Sequence, residues 1–346
     1  MDPLAPPDAL ALLRTLIDID STTGREGAVS HWLSAELRRR GWQVTEQPVD
    51  GERCNILATL DPPAVVFSTH LDCVPPFFPS RHEGDLLFGR GACDAKGCVA
   101  AQVVAAERLR LAGNRHIGLL FVIGEERGSD GARAANTLAC GSRYLINGEP
   151  TDNRLGVATR GALRVRLTAH GRASHSSCPE LGESAIEKLV DAIVRLRAFQ
   201  MPENPVMGRT HYTVGLISGG IAPNVVPPAA EAEVVFRTVG DVDRLKASLS
   251  SLEPLVDAEE IVEVPPVTMT QVPGFETAAF PYTTDIPFLD RWGEPLLLGA
   301  GSILVAHTDH EHLRIADLQR AIDQYVELAE YLMGQIRPST SSGRTR

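Results

Sequence analysis

The sequence predicts an α/β fold, in which a central mixed sheet flanked by helices is interrupted by a smaller inserted domain. Short apolar runs alternate with helical patterns over residues 1–160, as in layered α/β proteins. Strands of alternating apolar and polar residues then appear over residues 161–270, and apolar runs return at residues 271–336. The composition is ordinary for a globular chain of 346 residues, with 43% hydrophobic and 22% charged residues.

The first region opens with helical patterns and continues with short strands and one long helix. Helices are predicted at Pro7–Ile19, Glu26–Arg40 and Lys96–Ala112, and strands at Trp42–Glu46, Asn55–Leu60, Ala64–Thr69, His116–Ile123 and Tyr144–Asn147. Because these strands alternate with helices and most are apolar throughout, we expect a largely buried sheet.

The inserted region has the order β-α-β-β-α-β, which is that of a split β-α-β unit. Its predicted elements are Ala162–Ala169, Glu183–Ala198, Thr210–Ser218, Ala230–Thr238, Asp241–Leu252 and Ile261–Pro265. After them come apolar segments at Leu296–Leu298 and Ile303–Ala306 and a helix at Leu313–Gly334. The sequence therefore predicts a discontinuous domain of residues 1–160 and 271–336, an inserted domain of residues 161–270, and a disordered tail at residues 337–346.

Charge and cysteine content restrict the functional class. The chain has 33 Lys and Arg against 44 Asp and Glu, a net charge of −11. This balance disfavours nucleic acid and anionic membranes as partners, since both require a basic face. The sequence has no apolar run of about 20 residues and no cationic start before an apolar stretch, so we expect neither a membrane span nor a signal peptide. Six cysteines without a CxxC pair are typical of reduced thiols in a cytoplasmic protein.

Acidic and histidine side chains stand at five predicted junctions between a strand and a loop, the last of them after a strand at Ile303–Ala306. They are His70 and Asp72 after AVVFST, Asp94 in GRGACDAKG before a helix, Glu125 and Glu126 after LLFVIG, Glu149 after YLING, and His307 after ILVA. In open α/β sheets, ligands bind outside the carboxyl ends of the strands, so these side chains can converge on one site. Zinc accepts carboxylates and imidazoles, and adjacent glutamates after a buried strand are costly unless a cation lies nearby. The pattern therefore favours a metal site.

Signatures of several other enzyme classes are absent from the sequence. It contains no G-x-S-x-G elbow, no P-loop spacing, no G-x-G-x-x-G after a strand and no HExxH. These absences disfavour a serine hydrolase, a nucleotide-binding enzyme and a zinc protease whose ligands lie on one helix.

Seven motifs, taken in order, resemble those of the M20 family of metallo-aminoacylases and peptidases. They are HLDCVPP, GRGACDAKG, GEERGSDG, NGEPT, GRASHSS, GGIAPNVVP and AHTDHEH, and the resemblance spans about residues 5 to 335. It implies a zinc-peptidase-like catalytic domain and a ferredoxin-like inserted domain that serves as lid and dimerisation domain. Within the family, the resemblance is to the branch of acetylornithine and acetyl-lysine deacetylases, which is related to succinyl-diaminopimelate desuccinylase. The motifs that indicate this branch are DAKG, GEPT and AHTDHEH.

The resemblance further implies two metal ions that share a bridging carboxylate. The implied ligands are Asp94 as the bridge, His70 and Glu149 on one metal, and Glu126 and His307 on the other. Asp72 is expected to orient the His70 ring, and Glu125 to act as the general base. Zinc is the expected metal, with cobalt or manganese as alternatives, because sites of nitrogen and oxygen ligands select weakly among these ions.

The inserted domain supplies the remaining residues that the resemblance implies. His175 is expected to donate a hydrogen bond to the oxyanion of the reaction intermediate, reaching across a homodimer. Asn224 and Arg237 are expected to bind substrate, with Arg237 gripping a carboxylate through two hydrogen bonds. The helix Glu183–Ala198 and the strand Thr210–Ser218 are expected to form the dimer contact.

The implied activity is that of a two-metal amidohydrolase acting on N-acyl amino acids, with N2-acetylornithine or a close relative as the expected substrate. A dipeptidase or carboxypeptidase of the same family, including hydrolases that release lysine or ornithine from an amino-group carrier protein, is the alternative. A catalytically silent binding protein on the same scaffold is a third possibility. It is disfavoured because every candidate position keeps a residue type competent for its role.

Overall fold

A computed structural model of the chain describes residues 5–336. The α-helices in this range are α1 (Ala9–Asp18), α2 (Gly27–Arg39), α3 (Lys96–Leu111), α4 (Asp130–Ala135), α5 (Ala185–Arg197), α6 (Val242–Ser250) and α7 (Ile315–Gln335). The strands are β1 (Gln43–Asp50), β2 (Arg53–Thr59), β3 (Val65–His70), β4 (Arg81–Glu83), β5 (Leu86–Phe88), β6 (Ile117–Val122), β7 (Tyr144–Asn147), β8 (Leu155–Thr159), β9 (Gly161–His170), β10 (Glu203–Asn204), β11 (Gly208–Arg209), β12 (His211–Gly219), β13 (Ala229–Thr238), β14 (Asp257–Val264), β15 (Val267–Thr268), β16 (Thr277–Phe280), β17 (Glu294–Leu297) and β18 (His312–Arg314).

The described chain divides into two compact units. The first contains the residues up to Val157, together with Met269–Ala278 and the chain from Thr284 onward. The second contains Ala158–Thr268 and the short segment Ala279–Thr283. The predicted tail at residues 337–346 lies outside the described residues.

A mixed six-stranded sheet forms the centre of the first unit, in the order β1-β2-β6-β3-β7-β17. The four strands β6, β3, β7 and β17 run parallel, while β1 and β2 are antiparallel to their neighbours. Every residue of β3 and β6 is buried, as expected for parallel strands covered on both faces. On one face, the ring of Phe67 on β3 packs against Tyr325 on α7, with 5.3 Å between centroids. The α/β fold class that the sequence predicts is confirmed.

A four-stranded antiparallel sheet forms the second unit, in the order β12-β13-β9-β14. Along the chain its elements run β9-α5-β12-β13-α6-β14, which is the predicted β-α-β-β-α-β order. The alternation in β9 has a direct cause: Leu163, Val165 and Leu167 face a core shared with α5 and α6, and Arg164 and Arg166 point outward.

One predicted strand is wrong. The segment Ile303–Ala306 forms consecutive turns, in which the N–H of Val305 donates to the Ser302 carbonyl at 3.2 Å. Leu304 is 84% exposed, so the apolar run does not mark a buried strand here. Several short elements, among them α4, β4, β5 and β8, are absent from the prediction. The ends of predicted elements also differ; β14, for example, begins at Asp257 and not at Ile261.

Within residues 5–336, no helix combines the length and hydropathy needed to cross a bilayer.

Candidate functional site

Three neighbouring parallel strands of the first unit deliver acidic and histidine side chains to one edge of the sheet. His70 is the last residue of β3, Glu125 and Glu126 follow β6, and Glu149 follows β7. The carboxyl ends of parallel strands lie on the same side of a sheet, which is where α/β proteins bind ligands. The adjacent glutamates lie in a single 3₁₀ turn, Glu125–Arg127, after Gly124, whose φ of 74° lets the chain bend sharply at the strand end.

The Asp94 carboxylate joins two groups of potential metal ligands. Its Oδ1 lies 3.0 Å from Nε2 of His70, and its Oδ2 lies 3.2 Å from Nε2 of His307. On the His70 side, Nε2 is also 3.9 Å from Oε2 of Glu149. On the other side, Nε2 of His307 is 3.0 Å from Oε1 of Glu126. One carboxylate that faces two separate ligand groups has the arrangement of a bridge between two cations.

The chemistry of these donors fits divalent cations. The sets His70, Asp94, Glu149 and Asp94, Glu126, His307 each have ligand atoms within 4.8 Å of one another. Glu149 is 5% exposed, and its Oε1 has no hydrogen-bond partner among the described residues. A buried carboxylate oxygen without a donor is costly, and a cation would remove that cost. All five residues predicted as metal ligands therefore meet in this site.

Asp72 holds the turn that carries the two glutamates. Its carboxylate accepts the N–H groups of Glu125 at 3.1 Å and Glu126 at 3.2 Å, and the Thr23 hydroxyl at 3.0 Å. The same residue lies against the His70 ring: Nδ1 is 2.9 Å from the Asp72 carbonyl and 3.4 Å from its carboxylate. A carbonyl only accepts, so Nδ1 carries the hydrogen and Nε2 is left to face Asp94.

The crowded acids and imidazoles shift one another's proton affinities. Burial lowers the pKa of His70, but hydrogen bonds to Asp72 and Asp94 outweigh it and raise that pKa well above its usual range. Hydrogen bonds to Asp94 and Glu126 raise the pKa of His307 to about 10. Burial raises the pKa of Glu149 well above its usual range. Burial and the charge of Glu149 together do the same for the pKa of Glu125. Without cations, the site therefore holds protons that a metal would displace.

Two buried acids of this region are not predicted from the sequence. Glu311 accepts the backbone N–H groups of Cys93 and Asp94, both at 3.2 Å, and its other oxygen accepts Arg90 Nη1 at 2.7 Å. Asp285 is 1% exposed, and its carboxylate lies beside the side chain of Ser129. Burial raises the pKa of Asp285 to about 6. Glu311 lies within the quoted motif AHTDHEH, whereas nothing in the segment around Asp285 singles it out.

The other predicted site residues belong to the second unit and lie at two ends of its sheet. His175 forms a backbone bridge with Val225, and the neighbouring Ser176 N–H donates to the Asn224 carbonyl at 3.0 Å. These loops follow the end of β9 and precede the start of β13. Arg237 lies near the other end of β13, opposite Ala162. Eight residues of strand separate Arg237 from Ala229, which corresponds to roughly 26 Å.

Comparisons with known proteins agree on one family. Residues 66–331 match the family model described as Peptidase family M20/M25/M40. A Peptidase M20 domain-containing protein of Schizosaccharomyces pombe is 36% identical over 93% of this chain and 84% of its own length. A protein of Aspergillus clavatus named "Probable carboxypeptidase" is 35% identical over 95% of this chain and 83% of its own length.

Solved structures share the fold at low identity. A tripeptidase from Staphylococcus aureus superposes with a TM-score of 0.80 at 19% identity, covering 94% of this chain and 98% of its own. A dinuclear metal binding peptidase of the M20 family from Bacillus subtilis gives a TM-score of 0.73 at 16% identity, covering 95% and 98%.

Proposed function

The chain belongs to peptidase family M20/M25/M40, a family of hydrolases that act on amide bonds, and on that basis we propose a two-metal hydrolase that cleaves the amide on the α-nitrogen of a carboxy-terminal amino acid. The observation that carries the proposal is the Asp94 carboxylate, whose two oxygens face two different ligand groups. A single structural cation would need only one of these groups.

Two divalent cations are the proposed cofactors. His70, Asp94 and Glu149 would hold one, and Asp94, Glu126 and His307 the other. When bound, such cations polarise the scissile carbonyl and lower the pKa of the attacking water. Zinc is the proposed metal because it accepts both imidazole and carboxylate; cobalt and manganese accept the same ligands.

Glu125 is the proposed general base. Two backbone bonds from its turn to Asp72 fix the position of Glu125 beside the ligand Glu126. As a carboxylate, it takes the proton from the attacking water and returns it to the nitrogen of the leaving amine. His175 is proposed to donate a hydrogen bond to the developing oxyanion, and its Nδ1 already lies 2.8 Å from Ser177 Oγ, which orients the ring.

Substrates of two kinds satisfy this chemistry. A peptide with a free carboxyl terminus and an N-acetyl amino acid both place an acyl group on the nitrogen next to a carboxylate, which Arg237 is proposed to bind. The names of the 34–36% identical relatives favour the peptide. The motifs DAKG, GEPT and AHTDHEH favour acetylornithine or a close relative. Both reactions use the same metal ligands and the same base, so the pocket alone decides between them.

A homodimer through the second unit is proposed from two observations. The first is an apolar stripe on α5: Ile186, Val190 and Val194 repeat every four residues and are all exposed. The second is β12, the edge strand of its sheet, which exposes Leu216 and Ile217. A second copy that pairs along this edge would bury both features.

A dimer would also explain how predicted site residues at opposite ends of one sheet can act on the same substrate. His175 and Asn224 lie at one end of their sheet and Arg237 lies at the other, so they cannot all contact one small substrate within a single chain. We therefore propose that His175 and Asn224 act on the substrate held by the second copy.

A cytoplasmic location is proposed from the cysteines. Cys54, Cys73, Cys93 and Cys98 are buried as free thiols, and Cys140 and Cys178 are also unpaired. Persistent free thiols are typical of a reducing compartment.

A substrate panel on zinc-loaded protein tests the proposed activity. It should contain acetylornithine, acetylcitrulline, acetyl-lysine, succinyl-diaminopimelate and simple dipeptides, each dipeptide paired with its carboxy-terminal amide. We expect hydrolysis only where the α-carboxylate is free, because the amide cannot form the ion pair with Arg237. Fully metal-loaded protein that hydrolyses none of them would contradict the proposal. Preference for peptides or for acetyl amino acids decides between the two substrate classes.

A further inference from the structure

A second set of metal-ligand side chains lies in the first unit and shares no residue with the site around Asp94. His31 on α2, Glu46 on β1 and Cys54 on β2 have ligand atoms within 4.8 Å of one another. In the β1–β2 register Glu46 pairs with Ile56, so Glu46 and Cys54 are diagonal neighbours on one face of the hairpin. Helix α2 covers this face, since Ser30 Oγ donates to the Cys54 carbonyl at 3.0 Å.

His31 and Glu46 each make one hydrogen bond that fixes the side chain, and each keeps a second atom that can bind a metal. Nδ1 of His31 lies 2.7 Å from the Gly27 carbonyl, so this nitrogen carries the hydrogen and Nε2 keeps its lone pair. Metal-binding histidines are usually fixed in this way by a carbonyl on the other nitrogen. Oε1 of Glu46 accepts Arg38 Nη1 at 2.7 Å, which leaves Oε2 for a cation.

Cys54 supplies the soft ligand of the set. The residue is 5% exposed, and burial, followed by the charge of Glu46, raises the pKa of its thiol. A bound cation reverses this effect, because metals bind the thiolate and release its proton. With Glu46 and Cys54 both ionised, the ligands carry two negative charges, one of which is shared with the Arg38 guanidinium.

A buried hydroxyl on the same helix face gives a second indication of a ligand. Ser34, three residues after His31 and therefore on the same face of α2, is fully buried. Its Oγ lies beside the Glu46 carboxylate, whose pKa it helps to lower, and makes no closer hydrogen bond among residues 5–336. A hydroxyl in this position can bind a water that completes the coordination of a cation.

We propose that His31, Glu46 and Cys54 bind one zinc ion, which fastens α2 to the β1–β2 hairpin and takes no part in amide hydrolysis. Tetrahedral zinc with these ligands requires separations of about 3.4–3.6 Å between ligand atoms. The ligand atoms of the three side chains lie within 4.8 Å of one another, so side-chain rotation can bring them to that spacing. The set of one nitrogen, one oxygen and one sulfur ligand favours zinc over magnesium or calcium, which prefer oxygen alone.

Cobalt titration of the metal-free full-length chain tests the proposal, because the ligands proposed around Asp94 include no sulfur. Near-ultraviolet thiolate-to-cobalt charge-transfer absorption that depends on Cys54 therefore reports a separate site. We expect this absorption in the wild-type chain, together with one equivalent of metal beyond those bound around Asp94. It should persist in Asp94→Asn, which weakens the other site, and in Cys140→Ser, a matched change at an exposed cysteine.

Two variants remove the proposed ligands separately. Cys54→Ser should abolish the absorption and one equivalent of cobalt while leaving the hydrolysis rate unchanged. Because Cys54 is buried, His31→Ala at an exposed position serves as the second variant; it should weaken cobalt binding at this site at least about tenfold without unfolding the chain. The proposal is overturned if the wild-type chain shows no such absorption, if Cys140→Ser abolishes it, or if folded His31→Ala binds cobalt there as tightly as the wild type.

Discussion

The carboxylate of Glu311 accepts the backbone N–H of Asp94 at 3.2 Å, although the two residues are 217 positions apart in the chain. Its second oxygen accepts Arg90 Nη1 at 2.7 Å, and both side chains are about 1% exposed. Glu311 thus fixes the loop that carries Asp94 and neutralises a buried guanidinium. The loop and the ion pair depend on the same side chain.

Glu311→Gln is expected to destabilise the protein strongly. Glutamine keeps the shape but leaves the Arg90 charge buried without a counter-charge, which costs about 3–5 kcal/mol of unfolding free energy. Denaturant unfolding measures this loss. Asp85→Asn is the matched control, since its ion pair with Arg314 is exposed and should contribute less than about 1 kcal/mol. Equal, small losses in both variants would refute the role given to Glu311.

Asp72→Asn is expected to impair the site more than the fold. The new amide group must face the N–H of either Glu125 or Glu126, so one of the two bonds that hold the turn is lost. We expect metal affinity or turnover to fall about 10–100-fold, as for other residues that support metal ligands. Thr23→Val removes only one hydroxyl bond to Asp72 and should have a smaller effect. Wild-type turnover and metal content in Asp72→Asn would exclude this role.

Metal affinity is expected to rise with pH. In the metal-free protein, hydrogen bonds to Asp94 and Glu126 raise the pKa of His307 to about 10, so a cation must displace its proton at neutral pH. Between about pH 6 and pH 9, affinity should therefore increase about tenfold per pH unit for each proton released. Competition with a chelator of known affinity measures this slope. A slope of zero would show that the ligands bind metal without losing protons.

The same titration predicts how the stability of the metal-free protein depends on pH. The folded-state pKa of His307 is raised, so its contribution is fully present below the unfolded value of about 6.5 and is lost as pH rises through about 10. The thermal unfolding temperature of the metal-free protein should accordingly fall as the pH rises from about 6.5 to about 10. The metal-loaded protein should not show the decline, because its imidazole is already unprotonated.

The sequence predicts those features of the site that depend on local pattern. The apolar run before His70 marks a buried strand, and Asp94 does precede a helix, which begins at Lys96. The prediction for His307 rests on a wrong element, since ILVA forms turns; His307 nevertheless reaches Asp94 with a φ of 62°. A run of four apolar letters does not distinguish a strand from an exposed turn.

What the sequence does not reveal depends on contacts between distant parts of the chain. Glu311 matters because of a partner 217 residues away, and Asp285 because the fold buries its carboxylate. Neither condition leaves a local signal. Similarly, nothing in the sequence indicates how far His175 lies from Arg237, and only the strand register places them at opposite ends of one sheet.

Mixed dimers test whether His175 acts on the site of the second copy. Chains carrying Glu125→Gln and chains carrying His175→Ala should each be inactive alone. If His175 acts across the dimer, random mixing gives half mixed dimers with one complete site each, so about one quarter of wild-type activity should return. No recovery after demonstrated subunit exchange would place His175 in its own chain's site or outside catalysis.

The most direct test of a metal-assisted hydrolase with Glu125 as its base is the Glu125→Gln variant alone, measured for metal content and turnover on the same preparation. Glutamine keeps the size of the side chain but cannot take a proton from water. The role of Glu125 as the base predicts unchanged bound metal and a turnover about 10²–10⁴-fold lower. A variant that keeps its metal and hydrolyses substrate at close to the wild-type rate would contradict it.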